Sequence, residues 1–382
     1  SDFVFLLPVM DSSSLVMVGQ ATSGSYTSIE SSQITQRNFT DYSLAANQGD
    51  FLIISHKTII NGSGGYLQQY QQYRNSAAGG SHNAKIYDIE DLEDQFAFGI
   101  HNHPLSIKNF IRYARNNFNR NLYVFLVGRS LTFDQLRYNQ SNSDYQSQSL
   151  LPTFSFPASD VMLASDNLVP VSQTPIGRLS AVSSAEVGVY LNKIEAYENA
   201  QQTDNYYING NAWKKNIAFV SGAANSADET NFGAYISNYE KIMSGAKYGG
   251  NGYYFSAQSA ASIYQPQPGS VLNDLFSSGL NFVSYYGHGT STSIGFLQLG
   301  DPANFNNNGK YPLIFTSGCD VGNCYGYMAN RVNTLNNITE RFLFTPDKGC
   351  AGYLAQTYFG ITYQLDQYNQ AFYQDLANTD YG

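Results

Sequence analysis

From residue 50 onward the chain alternates between two textures. Short continuous apolar runs ("DFLIISH", "AKIYDI", "NLYVFLVG", "NIAFVSG", "GYYFSA", "NFVSYYGHG", "YPLIFTSGC", "CAGYLAQT") have the length and composition of strands buried on both faces of a sheet. Between them lie stretches with apolar or aromatic residues at helical spacing: "GGYLQQYQQYRNS", "HPLSIKNFIRYARNNF", "SAEVGVYLNKIEAYENA", "ETNFGAYISNYEKIM", "SVLNDLFSSG" and "QLDQYNQAFYQDLA". Pro104 and Ser106 mark one helix start. In "NITERFLF", Asn337 and Glu340 stand at capping-box spacing. Strand alternating with helix predicts an α/β fold with mainly parallel sheets. The rhythm runs twice, predicting two side-by-side α/β subdomains over residues 49–205 and 206–382. Residues 129–160, with the polar stretch "RYNQSNSDYQSQS", interrupt the first and read as a loop insertion. Residues 1–48, with "SLVMVGQAT" and "SYTSIESSQITQ", read as the end of a preceding β-rich region.

Composition narrows the class. Charged residues make up 13% of the 382, about half the usual share. Tyr (31), Gly (33) and uncharged polar residues take their place, a profile of secreted and cell-surface proteins. A net charge of −9 argues against nucleic acid as a partner, because phosphate binding needs a basic face. No apolar run approaches the ~20 residues of a membrane span. "SDFVFLLPVM" lacks the basic start of a signal peptide and contains Pro8, so the chain reads as the mature piece of a larger precursor.

Candidate chemistry is concentrated at two strand ends. In open α/β sheets, functional groups gather at the carboxyl ends of the strands. Two consecutive predicted strands end in "GHG" and "SGC", which puts His288 and Cys319 at one edge if they are parallel neighbours. The spacing leaves room for the crossover such a pair requires. An ordinary thiol is only about 3% thiolate at pH 7, and a neighbouring imidazole supplies the base it lacks. The glycines beside His288 let substrate backbone approach, and the Gly289 and Cys319 N–H groups are candidates to face an oxyanion. Gly287, Gly318 and Asp228 are the candidate substrate contacts. The plainer readings are a histidine in a turn and a cysteine in the core.

The remaining candidates are weaker. Three cysteines are too few for a disulfide scaffold. Cys350, in an apolar run read as a strand, is expected to be buried and inert. His101 and His103 have no carboxylate or cysteine at ligand spacing, and no metal site is expected. His56 reads as a cap and His82 as part of a turn. "GAKYGGNG" lacks the lysine and hydroxyl residue of a phosphate loop. Asp160 and Asp166 in "ASDVMLASD" could structure a turn or hold a calcium ion; a turn is the simpler reading.

The segments "NFVSYYGHGT", "YPLIFTSGCDVGNC", "ITERFLFTPDKGCAGYLAQT" and "PIGRLSA…KIEAYEN" together resemble the gingipain family of cysteine peptidases, relatives of the caspases. "DFLIISH", "YDIEDLEDQFAFGIHNHPLSIKNFIRYA" and "LYVFLVG" extend the likeness upstream, so that it covers about residues 49–382. The resemblance implies a caspase-like fold with His288 as catalytic histidine and Cys319 as nucleophile, and gives Cys324 no role. The family's histidine-orienting glutamate falls at Ala224, which implies a Cys319–His288 dyad with a backbone carbonyl or water on the far ring nitrogen. Asp228 and Glu229 lie near that loop. The implied function is a secreted or surface endopeptidase acting through an acyl-thioester on protein or peptide substrates, without a required cofactor. The alternatives are a sortase of the type IX secretion system, with outer-membrane secretion or anchoring partners, and a non-catalytic surface component that keeps the fold.

Overall fold

The computed structural model describes residues 39–378 apart from 119, 167–168, 170, 203–207, 257–267 and 296–300. The chain divides into two units, Ser1–Phe39 and Thr40–Gly382. The β-structure expected over residues 1–38 lies outside the described residues. Residues 40–48 do not continue it: they form turns and a 3-10 turn at Ala45–Asn47. Tyr42 packs its ring on Phe96 and Phe110, so this stretch belongs to the α/β body.

The first sheet comprises β1 (Phe51–Ser55), β2 (Ala84–Asp88), β3 (Tyr123–Val127) and β4 (Ile176–Leu179), all parallel, in the order β2-β1-β3-β4. The second comprises β5 (Asn216–Gly222), β6 (Asn251–Phe255), β7 (Phe282–Gly287), β8 (Leu313–Ser317) and β9 (Gly352–Ala355), parallel in the order β6-β5-β7-β8-β9. Both orders reverse direction beside the first strand, which is where doubly wound sheets open a crevice at their carboxyl ends.

Around the first sheet run α1 (Lys57–Ile60), α2 (Tyr66–Asn75), α3 (Ile89–Phe96), α4 (Leu105–Asn117), α5 (Phe133–Tyr138), α6 (Ser143–Gln148) and α7 (Ser184–Gln202). With the second run α8 (Ile208–Asn211), α9 (Ser226–Met243), α10 (Pro268–Ser278), α11 (Ile338–Phe344) and α12 (Thr362–Asn378). Residues expected as a loop insertion therefore contain α5 and α6. None of the described helices is long and apolar enough to cross a membrane.

Period-two alternation buries each sheet on both faces. In β7, Val283 and Tyr285 join a core with Leu272 and Phe276 of α10 and Phe342 of α11. Phe282 and Tyr286 join the opposite core, with Phe232 and Ile236 of α9 and Tyr373 of α12. Helix α7 spans both halves. Its Val187 and Leu191 pack under the first sheet, and its Ile194 packs on Tyr311 and Ala351, which lead into β8 and β9 of the second.

Buried Lys193 of α7 donates to the Phe342 and Leu343 carbonyls at the end of α11, each at 2.9 Å. Those carbonyls have no intrahelical partner, and a cation suits the negative end of the helix. Burial nevertheless pulls the ammonium down from 10.5 to about 8, only partly offset by Cys350 and Asp347. Below about pH 8 the ammonium is charged folded or unfolded, and its burial penalty is fully present. Between about 8 and 10.5 the unfolded chain holds the proton that the folded chain has lost, so this group makes stability rise with pH. Urea unfolding at about pH 7.5 and 9.5 is expected to show that rise in the wild type relative to Lys193→Met. Parallel changes in the two proteins would contradict it.

Candidate active site

Strands β5, β7 and β8 pair side by side, with Gly222 opposite Gly287 and Tyr286 opposite Ser317. Both strands end here, and His288 and Cys319 follow one and two residues beyond them, at the same edge of the sheet. Close packing of glycine backbone holds the edge together. A Cβ at Gly287 would lie 2.4 Å from the Gly222 Cα, and one at Gly289 would lie 3.5 Å from the Cys319 carbonyl oxygen. The His288 N–H donates to the Gly222 carbonyl at 3.1 Å, and the His288 carbonyl accepts from the Gly295 N–H at 2.9 Å and from the Tyr285 hydroxyl. On the other strand, the Gly318 N–H donates to the Gln356 side chain at 3.0 Å. Both strand ends are thus pinned on each side of the two candidate residues.

His288 follows Tyr286 in the strand alternation and faces α9. Its ring meets Phe232 edge-on at 5.8 Å, and its Nε2 lies 2.9 Å from the Asp228 Oδ2. Asp228 and Phe232 sit four residues apart, on one face of the helix. Asn225 caps this helix, accepting from the Asp228 N–H at 2.9 Å and donating from its Nδ2 to the carboxylate at 2.8 Å. The bond from His288, more than the Ala224 N–H and Asn225, holds the Asp228 carboxyl below its ordinary range despite some desolvation. The positive end of α9 favours the same charge. An ionised carboxylate only accepts, so the ring proton belongs on Nε2 and Nδ1 remains the base.

This corrects the expected dyad: a carboxylate does occupy the far nitrogen. Ala224 carries no acid, and the helix begins so soon after β5 that its first turn delivers one four residues later. The signal was present as Asn225-Ser-Ala-Asp228, a cap followed by an acidic third position. Asp228, expected as a substrate contact, is engaged with His288 through Oδ2. Glu229 turns away, accepting from the Ser221 hydroxyl at 3.2 Å and the Tyr254 hydroxyl at 3.0 Å. Gly287 and Gly318, taken as candidate substrate contacts, lie where backbone crowds backbone; a Cβ at Gly318 would come 3.2 Å from the Gly287 carbonyl oxygen. Among the described residues, the Gly289 and Cys319 N–H groups have no protein acceptor.

All three cysteines are free. Cys319 is partly exposed, and Asp320 after it adopts the left-handed conformation (φ 58°) that turns the chain off β8. Burial, reinforced by Glu340, pushes the Cys324 thiol up to about 11, with Arg129 and a Ser180 hydrogen bond opposing. Cys350 is fully buried just before β9, not within it, and burial raises its thiol to about 12. Because only the thiolate is nucleophilic, mild iodoacetamide treatment and peptide mapping are expected to mark Cys319 first. Labelling of Cys324 ahead of Cys319 would contradict this placement.

The other histidines are structural. His56 caps α1, accepting from the Thr58 N–H at 3.2 Å. His82 lies 3.7 Å from Asp50. His101 gains a carboxylate the sequence did not reveal, with Nδ1 3.0 Å from Glu93 of α3. The His103 Nδ1 accepts from the Leu105 N–H. Among the described residues, no group of three or more histidine, cysteine or acidic side chains converges as a metal site would. Asp160 is gripped by Arg178 through two bonds of 2.8 Å, and Asp166 by Arg115 at 2.6 Å. The carboxylates considered for calcium are thus already paired with arginines.

Parallel α/β layers in this order carry a free thiol and an imidazole at the ends of neighbouring strands, an arrangement that suits a cysteine peptidase. The chain belongs to peptidase family C25, whose model matches residues 44–382. Among solved structures it is similar to the complex of Porphyromonas gingivalis RgpB pro- and mature domains: 14% identity, TM-score 0.59, covering 87% of this chain and 69% of that one. The Arg-specific cysteine proteinase gingipain R (RgpB) shares 15% identity at TM-score 0.60, over 88% and 69%. A third solved protease shares 14% at TM-score 0.61, over 84% and 62%. At such identities the likeness to these structures shows the fold alone. No curated protein matches the chain.

Proposed function

We propose that the protein is an exported cysteine endopeptidase in which Cys319 is the nucleophile, His288 its base and acid, and Asp228 the group that orients the ring. The observation that carries this reading is the Asp228 carboxylate on Nε2 of a histidine that ends the strand next to the one ending in a partly exposed thiol. His288 Nδ1 takes the thiol proton, and sulfur attacks the scissile carbonyl carbon. The oxyanion faces the Gly289 and Cys319 N–H groups, which have no protein acceptor among the described residues. As the C–N bond breaks, the imidazolium passes its proton to the departing amine and leaves a thioester. Water then attacks the thioester, gives one proton to His288 and releases the acid; the returned proton restores the thiol. No step requires a cofactor.

Export to the cell surface or medium is read from the Tyr-rich, charge-poor composition. A transpeptidase would form the same thioester but resolve it with an amine. The test is cleavage of a quenched fluorescent peptide library with and without added glycinamide, by wild type and Cys319→Ala. Free carboxyl products are expected from the wild type and none from the variant. Products carrying only glycinamide would make the protein a transpeptidase, and equal cleavage by Cys319→Ala would remove the thiol mechanism.

A further inference from the structure

Residues 318–337, which carry the chain from Cys319 to α11, contain no strand or α-helix. Their position depends on what grips them, and the grip comes largely from the first half of the chain. Four consecutive residues each have backbone bonded to the segment 129–148. The Tyr325 carbonyl accepts from the Thr132 N–H at 3.3 Å, and the Gly326 carbonyl from the Arg129 Nη2 at 2.6 Å. The Tyr327 N–H donates to the Gln135 Oε1 at 2.7 Å. The Gln148 side chain takes both groups of Met328, accepting from its N–H at 3.2 Å and donating to its carbonyl at 2.9 Å. The Tyr327 ring stacks on Tyr145 with centroids 4.0 Å apart and planes 4° off parallel.

The anchor of this grip is ionic and buried. Arg129, at the end of β3, is fully buried and also donates to Gln148 Oε1 at 3.0 Å and to Glu340 Oε1 at 3.2 Å. Glu340 in turn accepts from Arg331 at 2.9 Å, and Arg331 reaches Glu186 at 2.7 Å. Two guanidinium groups face two carboxylates, so the buried charge is balanced and hydrogen-bonded, the condition under which such a cluster persists. Glu340 is thereby drawn away from the capping-box role its spacing predicts; Asn337 alone caps α11. The same insertion also holds the loop after β9, on the other side of the nucleophile. Ala158 accepts from the Thr357 hydroxyl at 2.6 Å, and Phe156 packs on Tyr358, whose carbonyl takes the Asp320 N–H at 3.1 Å.

We propose that the segment 129–160 is a positioning collar for the nucleophile, with Arg129 and Gln148 as its positioning residues, so that the first half of the chain sets the reactivity of a thiol carried by the second. The inference rests on Cys319 being the nucleophile. In a thiol enzyme a shift of about 1 Å in the attacking atom costs on the order of 10²-fold in rate. Arg129 and Gln148 are buried and bond to each other, to Glu340 and to the backbone of Gly326 and Met328, so replacing them is expected to act on kcat more than on KM.

The test uses the full chain with Arg129→Lys and Gln148→Leu. Lysine keeps the charge beside Glu340 but lacks the planar fork that reaches three acceptors. The neutral Gln148→Leu carries the test if the charge variant fails to fold. Each is expected to lower kcat by about 10- to 10²-fold with KM within about twofold. Amide exchange over 325–331 is expected to speed up, and the pH profile of Cys319 alkylation to move relative to wild type. Faster exchange with unchanged kcat and an unchanged alkylation profile would reduce the collar to a structural brace and overturn the proposal, as would no change in any readout. Exchange also reads the collar separately from the site: if Cys319→Ala retained peptidase activity, the assignment of the nucleophile would fail, whatever the exchange showed.

Discussion

Asp228→Asn is expected to lower kcat by about 10²-fold with little change in KM, while His288→Ala abolishes turnover. In a serine triad the equivalent amide costs ~10⁴-fold, because the ring is left in the wrong tautomer. A thiol is the better nucleophile and asks less of its base, so the loss should be smaller. The geometry also supplies an internal control. Glu229 is the neighbouring acid in the same helical turn, but its carboxylate is bonded to Ser221 and Tyr254. Glu229→Gln should stay within a few-fold of wild type. Turnover by Asp228→Asn within a few-fold, with circular dichroism unchanged, would return the site to the dyad that the sequence alone implies.

The second large effect is steric. A methyl group at Gly287 would stand 2.4 Å from the Gly222 Cα and 2.6 Å from its carbonyl carbon and oxygen. These are backbone atoms of the adjacent strand and have no rotamer by which to move aside. Overpacking of this kind costs about 1–3 kcal/mol, and relief requires β7 to part from β5 where His288 emerges. The 3.1 Å bond from the His288 N–H to the Gly222 carbonyl lies in the path of that movement. Gly287→Ala is therefore expected to lower Tm by several degrees and kcat by about 10²-fold or more. The check is thermal unfolding followed by peptide cleavage well below the transition. Full activity in the folded variant would mean that the strand ends do not fix the site.

How much of this was legible in the sequence follows from the range of the forces involved. Strands such as "NIAFVSG" and "YPLIFTSGC" announce themselves because burial on both faces demands an unbroken apolar run. The two strand ends carrying His288 and Cys319 were legible for the same reason. Asp228 was legible only as the third position after the cap Asn225; its bond to His288 was not, because the two lie 60 positions apart and the position where an acid was sought holds Ala224. The segment 129–160 was misread as loop because α5 and α6 are short and polar and are held by what they grip. Gln148 is buried yet looks like surface in the sequence, and only the fold reveals Met328 beneath it. Arg129 and Glu340 are 211 positions apart, and no local pattern joins them. Glu340 even suggested a different role, as a capping residue.

In the proposed mechanism one thiol, Cys319, is the reactive centre, and His288, held by Asp228, makes it so. The most direct measurement is labelling by a peptide-based acyloxymethyl ketone probe, with the modified residue located by mass spectrometry, in wild type, Cys319→Ala and His288→Ala. A single adduct on Cys319 is expected in the wild type, none in Cys319→Ala and much slower labelling in His288→Ala. An adduct on Cys324, or equal labelling rates with and without His288, would contradict it.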